Sequence, residues 1–424
     1  MPLKPTEVFV PGAYPTYTYI ERKDRRLEQS LENALATPGQ LVSLSGPSKS
    51  GKTVLVEKVV GRDNLISISG AGIQHPDDVW ELILDWMDVP QSTSHGRTLT
   101  GSAEVKGGAA GSIGVPLVAQ GQVKAEGSVG FQRAAEREEV RARRGLEQVI
   151  EEIGDSAFVI LIDDFHYMPR EVQVEAAKRL KEAVRAGLKM CTASVGHRGD
   201  DVVRANPELR GRVKAIDLTY WAPEELKKIA VTGFEALGAR LPGEALDAFV
   251  REAAGSPQLM QLICLNACFV LGIREPKVIV EPIDVGGAGL RSIFEQASSS
   301  TDFRSLVDVL EAGPKKRGSE RKTYTFQDES RGDVYRCVLK AIATDPPRLS
   351  FPYDNLTTRT AQVCQGESPV GSSVVGTCTH MSRLAIERFP AERVIDWDEQ
   401  KQVLDIPDPN LLFYLRWSGR LVEQ

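Results

Sequence analysis

One eight-residue motif constrains the fold of this chain more than any other feature. Residues 46–53 read Gly-Pro-Ser-Lys-Ser-Gly-Lys-Thr, a full match to the pattern G-x-x-x-x-G-K-[ST]. In this pattern, curled backbone N–H groups and the positive end of the following helix face phosphate oxygens. An apolar run at residues 40–45 precedes the motif, and a helical run at residues 54–60 follows it. We therefore predict a phosphate-binding loop between a strand and a helix.

Several positions in this loop have a predicted task. Lys52 is expected to reach the β- and γ-phosphates of a nucleoside triphosphate, and the hydroxyl of Thr53 is expected to ligate Mg²⁺. ATP and Mg²⁺ are therefore the predicted ligands. The other nucleotide-binding positions predicted in and beside the loop are Gly46, Ser48, Ser50, Gly51 and Val54.

The bulk composition narrows the class of protein. A chain of 424 residues is expected to form about two to three domains. Its 42% hydrophobic and 26% charged residues are typical of a globular protein, and no run approaches the roughly 18 apolar residues of a membrane span. The six cysteines form no C-x-x-C pair, and the first five residues lack the apolar core of a secretory signal. We predict a cytoplasmic protein with no stable membrane span.

Strand-like and helix-like patterns alternate after the motif. Strand-like runs lie at residues 65–69 and 189–195, and amphipathic helical runs lie at residues 77–87 and 171–186. The continuous apolar run at residues 158–162 is typical of a parallel strand that helices cover on both faces. This alternation predicts an α/β fold with a parallel sheet in a three-layer core.

Two acids end that continuous apolar run. A bound Mg²⁺–nucleotide needs a carboxylate behind the metal, and Asp163 is predicted to supply it. Asp164 is predicted to orient or deprotonate the attacking water, and the alternative is a cap for a helix or turn. Lys52, Asp163 and Asp164 thus form the predicted catalytic group, and Thr53 with Asp163 the predicted metal site.

The composition changes sharply at residues 91–131, which are mainly Gly, Ala, Ser and Val. This stretch is predicted to be an insertion into the nucleotide-binding core. Residues 112–115 and 122–126 alternate apolar with small or polar residues, as strands do. Three interpretations stay open: a surface loop, a β-hairpin that contacts a neighbouring subunit or partner, or a hairpin that an oligomeric ring inserts into a membrane. A strongly charged helical run follows at residues 132–153.

The remainder of the chain is predicted to be mostly helical. Residues 222–238 and 242–271 form a predicted lid, and the basic run at residues 315–322 forms a linker that is either solvated or available to DNA. The predicted winged helix-turn-helix has helices at residues 332–343, 353–362 and 371–388, strands at 393–397 and 402–406, and a last helix from residue 409. The predicted domains are a core (1–220), a lid (221–300) and a linker with the winged helix (301–424).

These motifs together resemble the STAND branch of the AAA+-type P-loop ATPases, with kinship to the origin-recognition type. The segments that carry the resemblance are residues 46–53, 163–164, 194–198, 255–257 and 406–415. The Gly255-Ser256-Pro257 segment is similar to a GxP lid signature whose proline packs against adenine, which implies that Pro257 contacts the base. No arginine stands at the start of that helix, where AAA+ enzymes carry a second sensor.

The resemblance implies two arginines with catalytic roles. The segment at residues 194–198 ends a strand where P-loop ATPases place a sensor of the γ-phosphate, and Ser194, His197 and Arg198 are its candidates. Arg198 is the one carried forward, and its alternative is a surface ion pair with Asp200 or Asp201. Oligomeric AAA+ proteins often carry an arginine finger on the edge before the next strand. This position implies Arg212 as the finger, with Arg210 as the alternative.

The leader before the first strand adds two nucleotide-binding residues. In many P-loop ATPases such a leader closes over the adenine, which implies contacts from Tyr19 and Arg22. Plain packing for Tyr19 and a solvated charge for Arg22 are the alternatives.

Three functional hypotheses follow. The first is an ATP-binding and hydrolysing switch that forms a homo-oligomer and signals to a separate effector protein, as in bacterial antiphage defence. The second is a DNA-associated AAA+ ATPase in transposition or replication loading, although a net charge of −6 is not typical of a protein that coats nucleic acid. The third is a housekeeping protein in which the nucleotide is only structural.

Overall fold

The computed structural model describes residues 3–89, 144–195, 206–277, 279–314, 321–389 and 394–421. Three predictions therefore lie wholly or mainly outside the described residues: the insertion at residues 91–131, the sensor Arg198 and the basic run at residues 315–322, of which only Arg321 and Lys322 are described. Of the charged helical run at residues 132–153, only the last ten residues are described.

A five-stranded parallel sheet forms the centre of the first half of the chain. Its strands are β1 (Leu41–Gly46), β2 (Leu65–Ser69), β3 (Val159–Asp163), β4 (Lys189–Val195) and β5 (Val213–Asp217). They lie in the order β2-β3-β4-β1-β5, so β4 separates the strand before the phosphate loop from the strand that ends in Asp163. Because carboxyl ends of parallel strands meet at one edge, the loop and Asp163 share that edge.

Helices cover both faces of this sheet. The α-helices among the described residues of this half are α1 (Pro5–Val8), α2 (Leu27–Ala36), α3 (Lys52–Val60), α4 (Asp78–Trp86), α5 (Leu146–Ile153) and α6 (Arg170–Arg185). Helices α4, α5 and α6 pack on one face around Trp80 and Leu180, and α2 and α3 pack on the other around Leu31 and Leu55. The predicted three-layer α/β P-loop fold of the AAA+ type is confirmed.

A helical unit follows the sheet. It consists of α7 (Pro223–Ala236), α8 (Gly243–Ala253), α9 (Pro257–Val270) and α10 (Gly287–Ser299), with the two-residue parallel strands β6 (Ala239–Arg240) and β7 (Glu281–Pro282). The predicted helical run at 242–271 is two helices, because Ala254 and Gly255 adopt left-handed φ angles of 47° and 84° and Ser256 caps α9. The leader packs on this unit, since Phe9 and Phe234 have ring centroids 5.0 Å apart.

The last part of the chain has its own core. Its elements are α11 (Arg304–Ala312), β8 (Tyr324–Thr325), β9 (Arg331–Gly332), α12 (Val334–Ala343), β10 (Ser350–Pro352), α13 (Tyr353–Val363), α14 (Gly371–Arg388), β11 (Asp396–Asp398), β12 (Val403–Asp405) and α15 (Pro409–Trp417). The order α12-β10-α13-α14-β11-β12 with an antiparallel β10-β12-β11 sheet is that of a winged helix-turn-helix. The third strand, β10, was not predicted, because three residues are too few to show period-two alternation.

Helix α15 belongs to two cores at once. Leu411, Leu412 and Leu415 are buried in the winged-helix core, whereas Phe413 and Trp417 pack against the helical unit of α7 to α10. Across the part of the chain that the structure describes, no helix is both long and apolar enough to span a bilayer.

Candidate nucleotide-binding site

The loop between β1 and α3 has the backbone shape that its sequence predicts. Gly46 and Gly51 adopt φ angles of 151° and 96°, which favour glycine. A Cβ on Gly46 would lie 2.2 Å from the carbonyl oxygen of Leu218, so any side chain there would force β5 and the loop apart. Lys49, at the top of the loop, also has a left-handed φ of 60°.

Lys52 is buried at the base of the loop. Its ammonium donates to the carbonyl oxygens of Gly46 at 3.0 Å and Pro47 at 2.8 Å. Burial lowers the pKa of Lys52, and the carboxylates of Asp163 and Asp164 oppose that shift. The two carbonyls hold the cation inside the curl of the loop, where phosphate oxygens would meet it.

Thr53 and Asp163 contact each other directly across the sheet edge. The Thr53 hydroxyl donates to Asp163 Oδ2 at 2.5 Å, and the second carboxylate oxygen, Oδ1, accepts from the backbone N–H of Asp164 at 2.9 Å. Both side chains are thus fixed. The predicted pair for a metal site therefore lies together, although the two residues are 110 positions apart in the sequence.

Asp164 has an unusual backbone and an unusual acidity. Its φ of 55° places it in the left-handed region, a conformation that Asp and Asn tolerate better than most residues. Burial, and secondarily the charge of Asp163, raises the pKa of Asp164 from 3.8 to about 6, while Lys52 opposes the shift. A carboxyl with this pKa exchanges protons near neutral pH, as a general base requires.

A cavity of about 420 Å³ opens beside these groups, between the loop, the leader and α9. The predicted site residues that line it are Tyr19, Arg22, Ser48, Ser50, Gly51, Lys52, Thr53, Val54, Asp163, Asp164 and Pro257. Gly46, the first residue of the loop, packs against Leu218 and is not in this lining. Within the described residues, two buried polar atoms in the lining have no hydrogen-bond partner: Ser50 Oγ and Gln258 Oε1.

Tyr19 belongs to an aromatic pair at the cavity wall. Its ring stacks on Tyr14 with centroids 6.0 Å apart and an interplanar angle of 14°. Its hydroxyl donates to Glu28 at 2.6 Å, and the Lys58 ammonium lies 5.3 Å from the ring centroid. Tyr14 lines the cavity beside Tyr19 and was not singled out from the sequence.

Arg22 connects the leader to the start of the helical unit. Its guanidinium Nε pairs with Glu225 at 3.0 Å, Nη1 donates to the carbonyl of Thr219 at 3.2 Å, and the group lies over the Trp221 ring. The side chain is buried rather than solvated. These contacts hold the cavity wall together, and a direct contact with adenine stays a prediction.

Helix α9 contributes more to the cavity than the predicted Pro257. Gln258 and Gln261 also line it, and Gln261 accepts from the N–H of Val10 at 3.3 Å and donates to Thr18 Oγ1 at 2.7 Å. The sequence carried one usable signal for Gln261, because residues four apart share a helix face. Trp221 Nε1 donates to the carbonyl of Ser50 at 3.0 Å. No pattern in the neighbouring sequence predicted this contact.

Arg212 lies far from the phosphate loop of its own chain. It is exposed at the start of β5, where its carbonyl accepts from the N–H of Leu41 at 2.8 Å. Leu41 begins β1 and Gly46 ends it, so the two ends are about 17 Å apart at roughly 3.3 Å per residue. Arg212 does not line the cavity.

The sheet order, the loop geometry and the Thr53–Asp163 pair define a P-loop α/β protein of the AAA+ fold, followed by a helical unit and a C-terminal unit whose helices and strands have the order of a winged helix. No family model matches the chain, and no curated protein matches its sequence.

Several solved structures are similar to the chain over nearly its whole length. Cdc6p from Pyrobaculum aerophilum is 15% identical, with 97% of each chain covered and a TM-score of 0.42. The ORC2 protein of Aeropyrum pernix, solved as ADPNP–ADP complexes, is 12% identical, with 96% of each chain covered and a TM-score of 0.48. The Walker-type ATPase paby2304 of Pyrococcus abyssi is 13% identical, covers 94% of this chain and 96% of that one, and has a TM-score of 0.47. At these identities and TM-scores, none of the three assigns a function.

Proposed function

We propose that the protein binds and hydrolyses ATP and acts as a nucleotide-dependent switch. The observation that carries this proposal is the Thr53–Asp163 contact at 2.5 Å beside the buried Lys52, all lining one cavity. The unpartnered Ser50 Oγ and Gln258 Oε1 add two polar atoms that a ligand would satisfy. Buried polar atoms without partners are costly, so their place in the lining supports a bound polar molecule.

The residues fit a magnesium–nucleotide complex. The described residues contain no group of three or more His, Cys, Asp or Glu side chains that could hold a metal. Proteins commonly bind Mg²⁺ through one or two oxygen ligands together with substrate phosphates. Thr53 and Asp163 would hold the ion, which supplies charge neutralisation for the phosphates. Lys52 and the loop N–H groups would bind the phosphates, and Tyr19 with Pro257 would flank the base.

Asp164 is the proposed base for the attacking water. With a pKa of about 6, its carboxylate is the main form at pH 7.5 and accepts a proton near neutrality. AAA+ enzymes usually carry the longer Glu at this place, so we expect slow hydrolysis here. Slow turnover suits a switch, because the ATP-bound state then persists long enough to be read.

A direct binding experiment tests the nucleotide proposal. Thermal unfolding is measured with Mg–ATP, Mg–ADP and Mg–GTP, and ATP hydrolysis is followed by phosphate release. Lys52→Met should abolish the ATP-induced rise in Tm, and Asp163→Asn should abolish hydrolysis. Lys178→Met is the matched control, since it removes an exposed lysine of α6 that pairs with Glu175. Absence of ATP binding in the wild type, or normal binding by Lys52→Met, would refute the proposal. If the protein binds nucleotide but does not hydrolyse ATP, only the third hypothesis, a purely structural nucleotide, would remain.

We further propose a homo-oligomer in which Arg212 acts on the neighbour's nucleotide. Arg212 is exposed and lies at the opposite edge of the sheet from its own loop, so only a second subunit could place it at a γ-phosphate. Arg212→Ala should therefore lose hydrolysis while it still binds ATP. Mixing it with Lys52→Met should restore part of the activity, since each variant supplies the group that the other lacks. Light scattering in each nucleotide state tests self-association directly.

The output of the switch is proposed to be a separate effector protein in the cytoplasm, in antiviral defence. Helix α15 packs both in the winged-helix core and against the helical unit that lines the cavity. A change at the cavity can therefore be transmitted to the winged helix, which supports such an output. Affinity purification of Asp164→Asn with ATP, compared with Lys52→Met, should enrich the effector only in the ATP-bound variant. Loss of phage protection in Lys52→Met cells would support the defence role, and unchanged protection would refute it.

The alternative is a DNA-associated ATPase, which the order of helices and strands in the winged helix favours. The charge on α14 is modest, because Arg383 lies 3.8 Å from Glu387 and His380 contacts the Tyr335 hydroxyl at 2.9 Å. A gel shift that weakens with salt and is lost in Arg383→Ala/Arg388→Ala would establish DNA binding. An unshifted probe at low salt would exclude it.

A further inference from the structure

One ion pair joins the phosphate loop to the winged helix. The ammonium of Lys49 lies 2.8 Å from Asp408 Oδ2, across 359 positions of sequence. The two side chains are 27% and 15% exposed, so the pair is partly shielded from water. Lys49 is the fourth of the eight loop residues, and Asp408 stands at the start of α15. No other described ion pair joins the loop at residues 46–53 to the winged helix.

Each partner also has a second structural role. Lys49 has a left-handed φ of 60° in the loop, and it lines the cavity as well as pairing with Asp408. Asp408 caps α15, because its Oδ1 accepts from the N–H of Asn410 at 2.9 Å while Oδ2 faces Lys49. One carboxylate therefore joins the start of α15 to the loop.

The other end of α15 is fixed on the helical unit. Arg416 makes a two-pronged ion pair with Glu252 of α8, with both N–O distances at 2.9 Å. Trp417 Nε1 donates to the same carboxylate at 2.7 Å, and Phe413 packs edge-on against Phe294. Helix α15 thus reaches from the phosphate loop to the unit that forms one wall of the cavity.

We propose that the Lys49–Asp408 pair is a latch that a bound triphosphate releases. The proposal concerns regulation of the nucleotide site and rests on the proposed function. Phosphates in the loop offer Lys49 a second anionic partner and place negative charge near the Asp408 carboxylate. Both effects weaken the pair, and the γ-phosphate adds to them because it increases the charge. ATP would therefore free the start of α15, and ADP would free it less.

Because of thermodynamic linkage, the effect of the Lys49–Asp408 pair can be measured as a change in nucleotide affinity. If ATP weakens the pair, loss of the pair must strengthen ATP binding by the same factor. Asp408→Asn removes the charge and keeps the cap, because Asn caps helices as well as Asp. We expect it to tighten ATP binding about fivefold, the scale of one partly exposed ion pair, and ADP binding by less. Asp247→Asn is the control, since it removes the exposed Lys227 pair on the helical unit.

The experiment is a double-mutant cycle on the full chain, with calorimetric Kd values for the non-hydrolysed analogue ADPNP and for ADP. Its variants are Asp408→Asn, Lys49→Asn and the double variant; Asn tolerates the left-handed conformation at position 49. If the latch exists, Asp408→Asn tightens ADPNP binding in the wild-type background. It has no further effect in the Lys49→Asn background, because the ion pair is already lost there. Fully additive changes, or an Asp408→Asn affinity equal to the wild type, overturn the latch.

Hydrogen exchange in the absence of nucleotide supplies an independent readout. The amides of Leu411 and Leu412 in the first turn of α15 should exchange faster in Asp408→Asn and in Lys49→Asn than in the wild type or Asp247→Asn. ADPNP should speed the same amides in the wild type. If ADPNP slows or does not change them, the latch is wrong. A wild type that binds no nucleotide overturns both the latch and the proposed function, whereas normal binding without these effects overturns the latch alone.

Discussion

Replacement of Asp164 by Asn should stabilise the fold and abolish hydrolysis together. Burial and the neighbouring Asp163 disfavour the charged carboxylate at position 164, which raises its pKa from 3.8 to about 6. Asn has nearly the same shape, carries no charge and tolerates the left-handed φ of 55° at this position. The variant therefore removes the unfavourable charge without disturbing the turn. It also removes the proposed base, which should lower the rate about 10²- to 10⁴-fold.

The sign of the pH dependence follows from the direction of the shift. Between pH 3.8 and about 6, the folded protein binds a proton that the unfolded chain releases, so stability falls as the pH rises through this window. Above this window the carboxylate is charged in both states and the destabilisation is complete. A shift of this size corresponds to roughly 3 kcal/mol. Because Asp164 is partly exposed and its charge is screened, we expect about 1.5 kcal/mol.

Urea unfolding of the wild type and Asp164→Asn at several pH values measures this difference. At pH 8 the variant should be more stable by about 1.5 kcal/mol, and most of this gain should disappear by pH 4. Asp155→Asn is the matched control: Asp155 also has a left-handed φ, of 54°, but is exposed. Its effect should not vary with pH in the same window.

Two results would refute the reasoning about Asp164. A difference from the wild type that stays constant from pH 4 to pH 8 would show that the backbone conformation, not the charge, sets the effect. A variant that is less stable than the wild type at pH 8 would show that the carboxylate is favourably bound in the fold. Either result would also remove the argument that its pKa suits it to act as the base.

Two further stability predictions concern packing between separated parts of the chain. Glu252→Ala should cost about 3 kcal/mol, because the buried guanidinium of Arg416 loses its two-pronged partner and is left with the exposed carboxylate of Asp345 as its ionic partner; a loss below 1 kcal/mol in urea unfolding would contradict this. Gly233→Ala should cost about 1–3 kcal/mol by overpacking, since its Cβ would lie 2.3 Å from the Phe9 ring. Gly287→Ala, whose Cβ would meet nothing within 4 Å, is the control and should be close to neutral.

The central sheet could be predicted because its signals are local. The phosphate loop is specified by eight consecutive residues, β1 is marked by the apolar run just before them, and β3 is a short continuous apolar run that ends in two acids. Parallel strands bring such carboxyl ends to one edge, so the meeting of Thr53 and Asp163 followed from the strand assignment alone. The same reasoning gave the helices on both faces, since each carries an amphipathic pattern of its own.

The walls of the cavity could not be predicted in the same way. Arg22 was interpreted as either an adenine contact or a solvated charge, whereas its buried guanidinium joins Glu225 and Thr219. Trp221 donates to the carbonyl of Ser50, and Lys49 pairs with Asp408, but neither pair leaves a periodic or spaced signature. Contacts of this kind depend on how separate units pack. A single sequence does not encode that packing in any local pattern.

Helix α15 packs in two hydrophobic cores, and this determines which parts of the chain can move against each other. Its leucines fill the winged-helix core, while Phe413 and Trp417 fill the core of the helical unit, and the Arg416–Glu252 pair binds the two together. Separating the winged helix from the helical unit would expose both apolar faces and a buried charge. By contrast, the described contacts that join the phosphate loop to this pair of units are polar and few: Lys49 with Asp408, and Trp221 with Ser50. If the proposed switch moves these units against the sheet, the helical unit and the winged helix should therefore move as one body.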